Sequence, residues 1–343
     1  MSTIPVMLTE AQTIPEVAAR TLADTRAQMT EVAERIRRND PTVLATVARG
    51  SSDNAAEYGG RLLAQRCGYL PASMPPSLIT VERAQIRWAN TLVIGVSQSG
   101  RSPDLVLPVD AARAGGADTV ALVNVTDSPL AEAAETVLPI GAGPEVAVAA
   151  TKSFVLTLIQ FAHLAALLVR DEDLITALDA LPATLDEALT MDWSPALTAL
   201  ADPAPRYAVG RGLGFPIARE IALKFKEVCG LHTEAISGAE VMHGPKALIG
   251  RADPIFCVAP GDRGGTAMRG EIAALAALSS NVIVAGQSVD GSALHLPIPV
   301  APHPALSSII LATAAYPFIV ELAQIRGLSP DAPRHLTKVT ETL

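Results

Sequence analysis

Four strand-like segments recur in the same order in the two halves of this 343-residue chain, and that repetition limits the fold more than any other feature. TVLATVARG (42–50) is matched by RYAVGRGLG (206–214), and NTLVIGVSQSG (90–100) by DPIFCVAPGD (253–262). Within DTVALVNVTDS (118–128), VALVN is matched by NVIVAG (281–286), and ETVLPIGAG (135–143) by LHLPIP (294–299). One such match arises easily by accident; four in order at nearly constant offset are what a tandem duplication leaves. Each segment is a continuous apolar, β-branched run, and the runs alternate with helix-like stretches such as NAAEYGGRLLAQR and the one starting near Pro103. Apolar strands alternating with helices predict a parallel, doubly wound sheet. The expected fold is therefore α/β: two tandem three-layer α/β/α domains related by internal duplication, a number that the length also suits. Residues 1–185 are expected to form a helical segment plus the first domain, 186–327 the second, and 328–343 a tail that contributes to the site.

Composition removes several function classes. Hydrophobic residues at 49% against 18% charged supply large cores and exclude a disordered chain. Aromatics at 3% and a net charge of −9 argue against nucleic acid as a partner. Cys67, Cys229 and Cys257 have neither disulfide nor zinc-site spacing, and MSTIPVMLTEAQ lacks a signal pattern, so a reducing cytoplasm is expected. The apolar stretches Ser153–Val169 and Ala305–Val320 read as buried helices rather than membrane spans, the first broken by Gln160 and His163, the second by Pro317. There is no nucleotide-triphosphate loop, and Arg-Gly-Leu-Gly lacks the third glycine and acidic residue of a dinucleotide site. No cofactor and no metal are expected.

The two copies differ in their turns. The first carries Gly50-Ser51-Ser52-Asp53 and Ser97-Gln98-Ser99-Gly100-Arg101-Ser102; the second has Gly212-Leu213-Gly214-Phe215 and Pro260-Gly261-Asp262. Ligands of open α/β sheets bind beyond the carboxyl ends of strands, where helix starts offer unpaired N–H groups and serines add donors. Ser102-Pro103 also fits a helix N-cap and first position. One serine turn alone reads as a cap; two at neighbouring strand ends read as a cradle for a phosphorylated small molecule.

At this point a family resemblance becomes specific. ARGSSDN (48–54), SQSGRSPD (97–104) and AVAATKSF (147–154) resemble the sugar isomerase (SIS) domain. IALKFKEVCGLHTEAISGAEVMHGP (221–245) and DAPRHLTKVTETL (331–343) resemble the second domain and tail of the isomerase half of glucosamine-6-phosphate synthase, and more closely the SIS-type glucosamine-6-phosphate deaminases. The resemblance covers nearly the whole chain. It implies that Ser52, Ser97, Gln98, Ser99 and Ser102 bind the sugar phosphate.

It also assigns chemistry. Aldose–ketose conversion needs an acid/base for ring opening and one base that reaches both C1 and C2. Taken alone, Glu227 reads as a solvated helix charge, His243 as a loop histidine and Lys338 as a surface charge. The resemblance makes Glu227 the proton shuttle, His243 the ring-opening group and Lys338 the tail lysine that can form a Schiff base, and it places Lys224 near the sugar. His163, His232 and Lys152 receive no role. Gly-Arg-Ser at 100–102 and Ala150 before Thr-Lys depart from the synthase and resemble the deaminase branch, and two domains leave no room for a glutaminase half. The expected reaction is glucosamine 6-phosphate plus water to fructose 6-phosphate plus ammonia. The alternatives are a galactosamine- or fructosamine-6-phosphate enzyme, a glutamine-independent aminotransferase-like isomerase, and a sugar-phosphate sensor without turnover. The resemblance further implies a homodimer with shared sites, His243 entering from the neighbouring subunit.

Overall fold

Ten strands form two five-stranded sheets among the residues described in this computed structural model, 4–202, 204–288 and 294–338. The first sheet contains β1 (Val43–Val47), β2 (Leu70–Ser73), β3 (Thr91–Ser97), β4 (Asp118–Val123) and β5 (Thr136–Pro139), in the order β2-β1-β3-β4-β5. The second contains β6 (Tyr207–Gly210), β7 (Glu234–Ser237), β8 (Ile255–Ala259), β9 (Val282–Gly286) and β10 (Leu294–Leu296), in the order β7-β6-β8-β9-β10. Every pairing is parallel. Renumbered by copy, both orders read 2-1-3-4-5, so the duplication read from the sequence holds at the level of topology.

The four repeated segments supply eight of these strands. β2 and β7 are edge strands and carry no comparable sequence signal. All four residues of β2 are exposed, and Pro71, lacking an N–H, is tolerated in a sheet only at such a position. β3 and β8 are buried along their whole length, which is why they read as unbroken apolar runs.

The chain divides into two compact units that do not follow its order. One, the first-sheet unit, holds 16–145, 152–179 and the described tail residues Thr337 and Lys338. In it, Ala45, Val47, Val93, Ala121 and Val123 share a core with the helices Pro103–Ala114 and Pro129–Ala133. The alternate residues Leu44, Leu92, Ile94, Val120 and Leu122 are equally buried, as a sheet covered on both faces requires. The second-sheet unit holds the described residues of 1–15, 146–151 and 180–336. Here Phe225, Phe256, Phe318 and Trp193 form an aromatic cluster with ring centroids 5.6–6.5 Å apart. Burying each such ring contributes roughly 1.5–3 kcal/mol.

Lys152–Val169 and Pro304–Ile325 are long and apolar enough to cross a membrane by composition, yet 89% of each hydropathic window is buried inside the protein. They are core helices, as their interrupting polar residues predict.

Candidate active site

The strand order puts a topological switch point between β1 and β3, where the two neighbouring strands send their connections in opposite directions and leave a crevice at their carboxyl ends. β1 and β3 are in register with Val47 opposite Gly95. Ser97 ends β3, and Gln98, Ser99 and Ser102 form the turn that follows. From the neighbouring strand, Ser52 lies in the first turn of the helix Gly50–Cys67. The structure thus brings these five residues to one crevice of the first-sheet unit.

The local bonding decides what the turn can offer. Ser97 Oγ accepts from Gly100 N at 3.0 Å, and Ser99 Oγ accepts from Arg101 N at 3.4 Å. A hydroxyl that accepts from backbone keeps its own proton to donate. Ser102 is the N-cap of the helix Pro103–Ala114, with Pro103 starting it, but its side chain makes no cap hydrogen bond; the cap of Gly50–Cys67 makes none either. Two helix starts therefore meet the crevice without a side chain of the cap residue placed over their N–H groups. Arg49 and Asp104, which border the two turns, clamp them together: Arg49 Nε donates to the 1% exposed Asp104 carboxylate at 2.8 Å. The sequence reading missed this clamp.

The second copy lacks the hydroxyls at the same place. Its register sets Val209 opposite Cys257, so Ala259 stands where the first copy has Ser97, and Gly261 where it has Ser99. Gly50 and Gly212 correspond and share a left-handed backbone, φ +54° and +57°. A Cβ on Gly50 would meet nothing within 4 Å, whereas one on Gly212 would lie 3.0 Å from Gly264 Cα. The helix Arg263–Ala267 already has an anion at its start, Asp262 accepting from Gly265 N at 2.7 Å. Burial raises the Asp262 pKa, although backbone hydrogen bonds oppose the rise.

In the second-sheet unit the helix Gly214–Glu227 buries Ile217, Ile221 and Phe225 at helical spacing, and on it Lys224 is fully enclosed. Its ammonium lies 2.5 Å from Glu227 Oε2 and 3.5 Å from the buried Glu220 carboxylate. Burial works against that charge, but Glu220 and Glu227 outweigh it and raise the Lys224 pKa above its ordinary value. Lys224 is thus a fixed cation that holds Glu227, whose own side chain remains 24% exposed at the helix end. The sequence reading named Lys224 and Glu227 but not Glu220. His243 lies apart from them in this unit, exposed at the C-cap of the short helix Gly238–Met242.

Lys338 belongs to the first-sheet unit. Its ammonium donates to Glu145 Oε2 at 2.9 Å, and the Glu145 side chain is wholly buried. Glu145 also accepts from Ser153 N at 3.0 Å and Ser153 Oγ at 2.7 Å, at the start of the helix Lys152–Val169. Burial alone would push this carboxyl up; Lys338 and the two Ser153 bonds outweigh it and hold it below the usual carboxylate value. Nothing in the sequence around Glu145 signals this, since its partner is 193 residues away.

The remaining candidates are accounted for by burial or exposure. Burial pushes the thiols of Cys67 to about 11 and of Cys229 and Cys257 to about 12, which leaves no thiolate for chemistry near neutrality. Burial lowers His163 to about 4, so it stays a neutral core residue. His232 is exposed and Lys152 buried. No group of His, Cys, Asp and Glu that could hold a metal occurs among the described residues.

Residues 27–169 and 199–322 match the SIS domain family. A glutamine–fructose-6-phosphate aminotransferase (isomerizing) of Thermotoga maritima is 32% identical over 267 residues, covering 72% of this chain and 43% of that protein. The chain thus spans about half the length of the curated relatives it matches, from 43% to 57%. A crystal structure of a protein provisionally named a phosphosugar isomerase, from Silicibacter pomeroyi DSS-3, is 36% identical with a TM-score of 0.89, covering 96% of this chain and all of that one. The C-terminal domain of glucosamine-fructose-6-phosphate aminotransferase from Francisella tularensis superimposes with a TM-score of 0.87 over 97% of this chain and 99% of its own; at 23% identity it speaks for the fold alone. With the family pattern matched in both halves, on two copies of one parallel sheet, this chain belongs to the SIS domain family.

Proposed function

We propose that this protein is a phosphosugar isomerase that releases ammonia from an amino-sugar 6-phosphate, with glucosamine 6-phosphate as substrate and fructose 6-phosphate as product. The observation that carries the reading is the asymmetry of the two copies. One switch-point crevice is lined by Ser97 and Ser99; its duplicate has lost both hydroxyls, and there the backbone of Gly212 approaches Gly264 closely. In this reading Ser52, Ser97, Gln98, Ser99 and Ser102 hold the phosphate with hydroxyl and helix-start donors. His243 opens the ring. Glu227 then carries the proton between C2 and C1, a task that suits a carboxylate held in one place by Lys224. Moving that proton converts the C2 amine to an imine, which water hydrolyses to the ketose and ammonia. Lys338 acts on the carbonyl of the ketose as an amine.

We further propose a cytoplasmic homodimer in which His243 serves the site of the partner subunit. The exposure of His243 and of Leu248, 64% exposed just after it, supports this. The test of the function is coupled measurement of ammonia release across glucosamine, galactosamine and fructosamine 6-phosphates. Release from glucosamine 6-phosphate above the other two is expected. Tight binding of all three without release would make the protein a sensor.

A further inference from the structure

The chain has only five lysines, Lys152, Lys224, Lys226, Lys246 and Lys338, against 21 arginines, so each lysine can be asked what its ammonium does. Lys226 and Lys246 are exposed, and Lys224 is locked between two carboxylates. Lys338 is different. It comes from a chain-end segment, yet it meets a carboxylate with no exposed surface of its own. Burying an ionised carboxylate costs several kcal/mol unless it is paired and hydrogen-bonded. Here the Ser153 N–H and hydroxyl prepare the carboxylate, and the tail supplies the charge.

We propose that Glu145 is the positioning residue for the tail lysine: a buried carboxylate that seats Lys338 as an ammonium and holds it ready for the sugar carbonyl. The second half of this rests on the reading that Lys338 acts as an amine. To add to a carbonyl carbon, Lys338 must first shed a proton, and Glu145 Oε2, 2.9 Å away, is placed to take it. The nitrogen lone pair then bonds the carbonyl carbon. The carbonyl oxygen leaves as water when the imine forms, and both its hydrogens come from the amine nitrogen. Glu145 gives its proton back when hydrolysis frees the lysine.

The experiment is acetylation of the full chain with an N-hydroxysuccinimide ester at pH 8, read lysine by lysine by mass spectrometry. Lys226 and Lys246 serve as internal references. In the wild type Lys338 should react roughly tenfold more slowly than these, because its ammonium is bound to a buried carboxylate at 2.9 Å. Glu145→Gln should remove most of that protection while leaving both references unchanged. Glu145→Asp should give an intermediate rate, and it serves if Glu145→Gln does not fold. Lys338 reacting as fast as Lys226 in the wild type, or staying protected in both folded variants, would overturn the seat. Turnover separates this proposal from the reading beneath it. Glu145→Gln should lower kcat for glucosamine 6-phosphate with KM within about twofold, because the phosphate contacts lie on other residues. Full turnover by Lys338→Arg, which keeps the ion pair but cannot form an imine, would refute the amine role of Lys338 and leave the seat standing on the acetylation result.

Discussion

In the proposed site, substrate recognition rests on Ser97 and Ser99. Their hydroxyls accept backbone N–H groups inside the turn, which shapes the loop and leaves each hydroxyl proton for the phosphate of that proposal. Ser97→Ala/Ser99→Ala should weaken inhibition by inorganic phosphate and raise KM for the sugar phosphate. Each lost charge-assisted hydrogen bond costs about 1.5–3 kcal/mol. An unchanged KM in the folded double variant would contradict the cradle. Glu227→Gln keeps the shape of the side chain and removes its basicity; turnover should fall roughly 100-fold or more while fructose 6-phosphate still binds in calorimetry. The serines were legible in the sequence because turn chemistry is local: hydroxyl, glycine and proline in a row at a strand end have few uses. Glu145, Glu220 and the Arg49–Asp104 clamp were not. Each is defined by a burial or a partner that appears only when the chain is folded, and in isolation each reads as an ordinary charge.

At the scale of elements, the central strands β3 and β8 announced themselves because they are apolar throughout, whereas β2, exposed along its whole length, and the partly exposed β7 gave no such run. The missing hydroxyls of the second copy were visible in the sequence, but the close approach of Gly212 to Gly264 is a property of the folded backbone. Gly50→Ala and Gly212→Ala separate the two effects. Both place a side chain at positive φ, costing about 1–2 kcal/mol, but only the second forces a Cβ onto a neighbouring backbone. Gly212→Ala should therefore lower the melting temperature clearly more than Gly50→Ala; equal shifts would contradict the close approach of Gly212 to Gly264. The helix Gly214–Glu227 offers a test in pH. Lys224 has a raised pKa in the folded protein, so its stabilisation is complete below its ordinary value of 10.5 and is lost as pH rises through the higher folded value. Lys224→Met strands the Glu220 carboxylate and should cost on the order of 3–5 kcal/mol. The gap from wild type should stay constant from neutral pH to about pH 10 on this linkage. A gap that closes between pH 7 and 9 would mean that Lys224 titrates there and is not the fixed cation described.

For the whole molecule, the two copies of one fold differ at their switch points: the first carries Ser97 and Ser99, and the second has Ala259 and Gly261 in their places. If His243 serves a partner subunit, then Glu227→Gln and His243→Asn proteins, each inactive, should complement when unfolded, mixed and refolded. About half of the dimers would be mixed, and roughly a quarter of all sites would carry neither change. No recovery from mixed dimers would put His243 and Glu227 of one chain in the same site. The central claim, proton transfer between C1 and C2 of a phosphosugar, is tested most directly by incubating the protein with fructose 6-phosphate or glucosamine 6-phosphate in deuterium oxide and following C1 and C2 by NMR. The account predicts deuterium entering the sugar with the wild type and not with Glu227→Gln. Binding of both sugars without any exchange by the wild type would contradict it and leave a protein that recognises phosphosugars without transforming them.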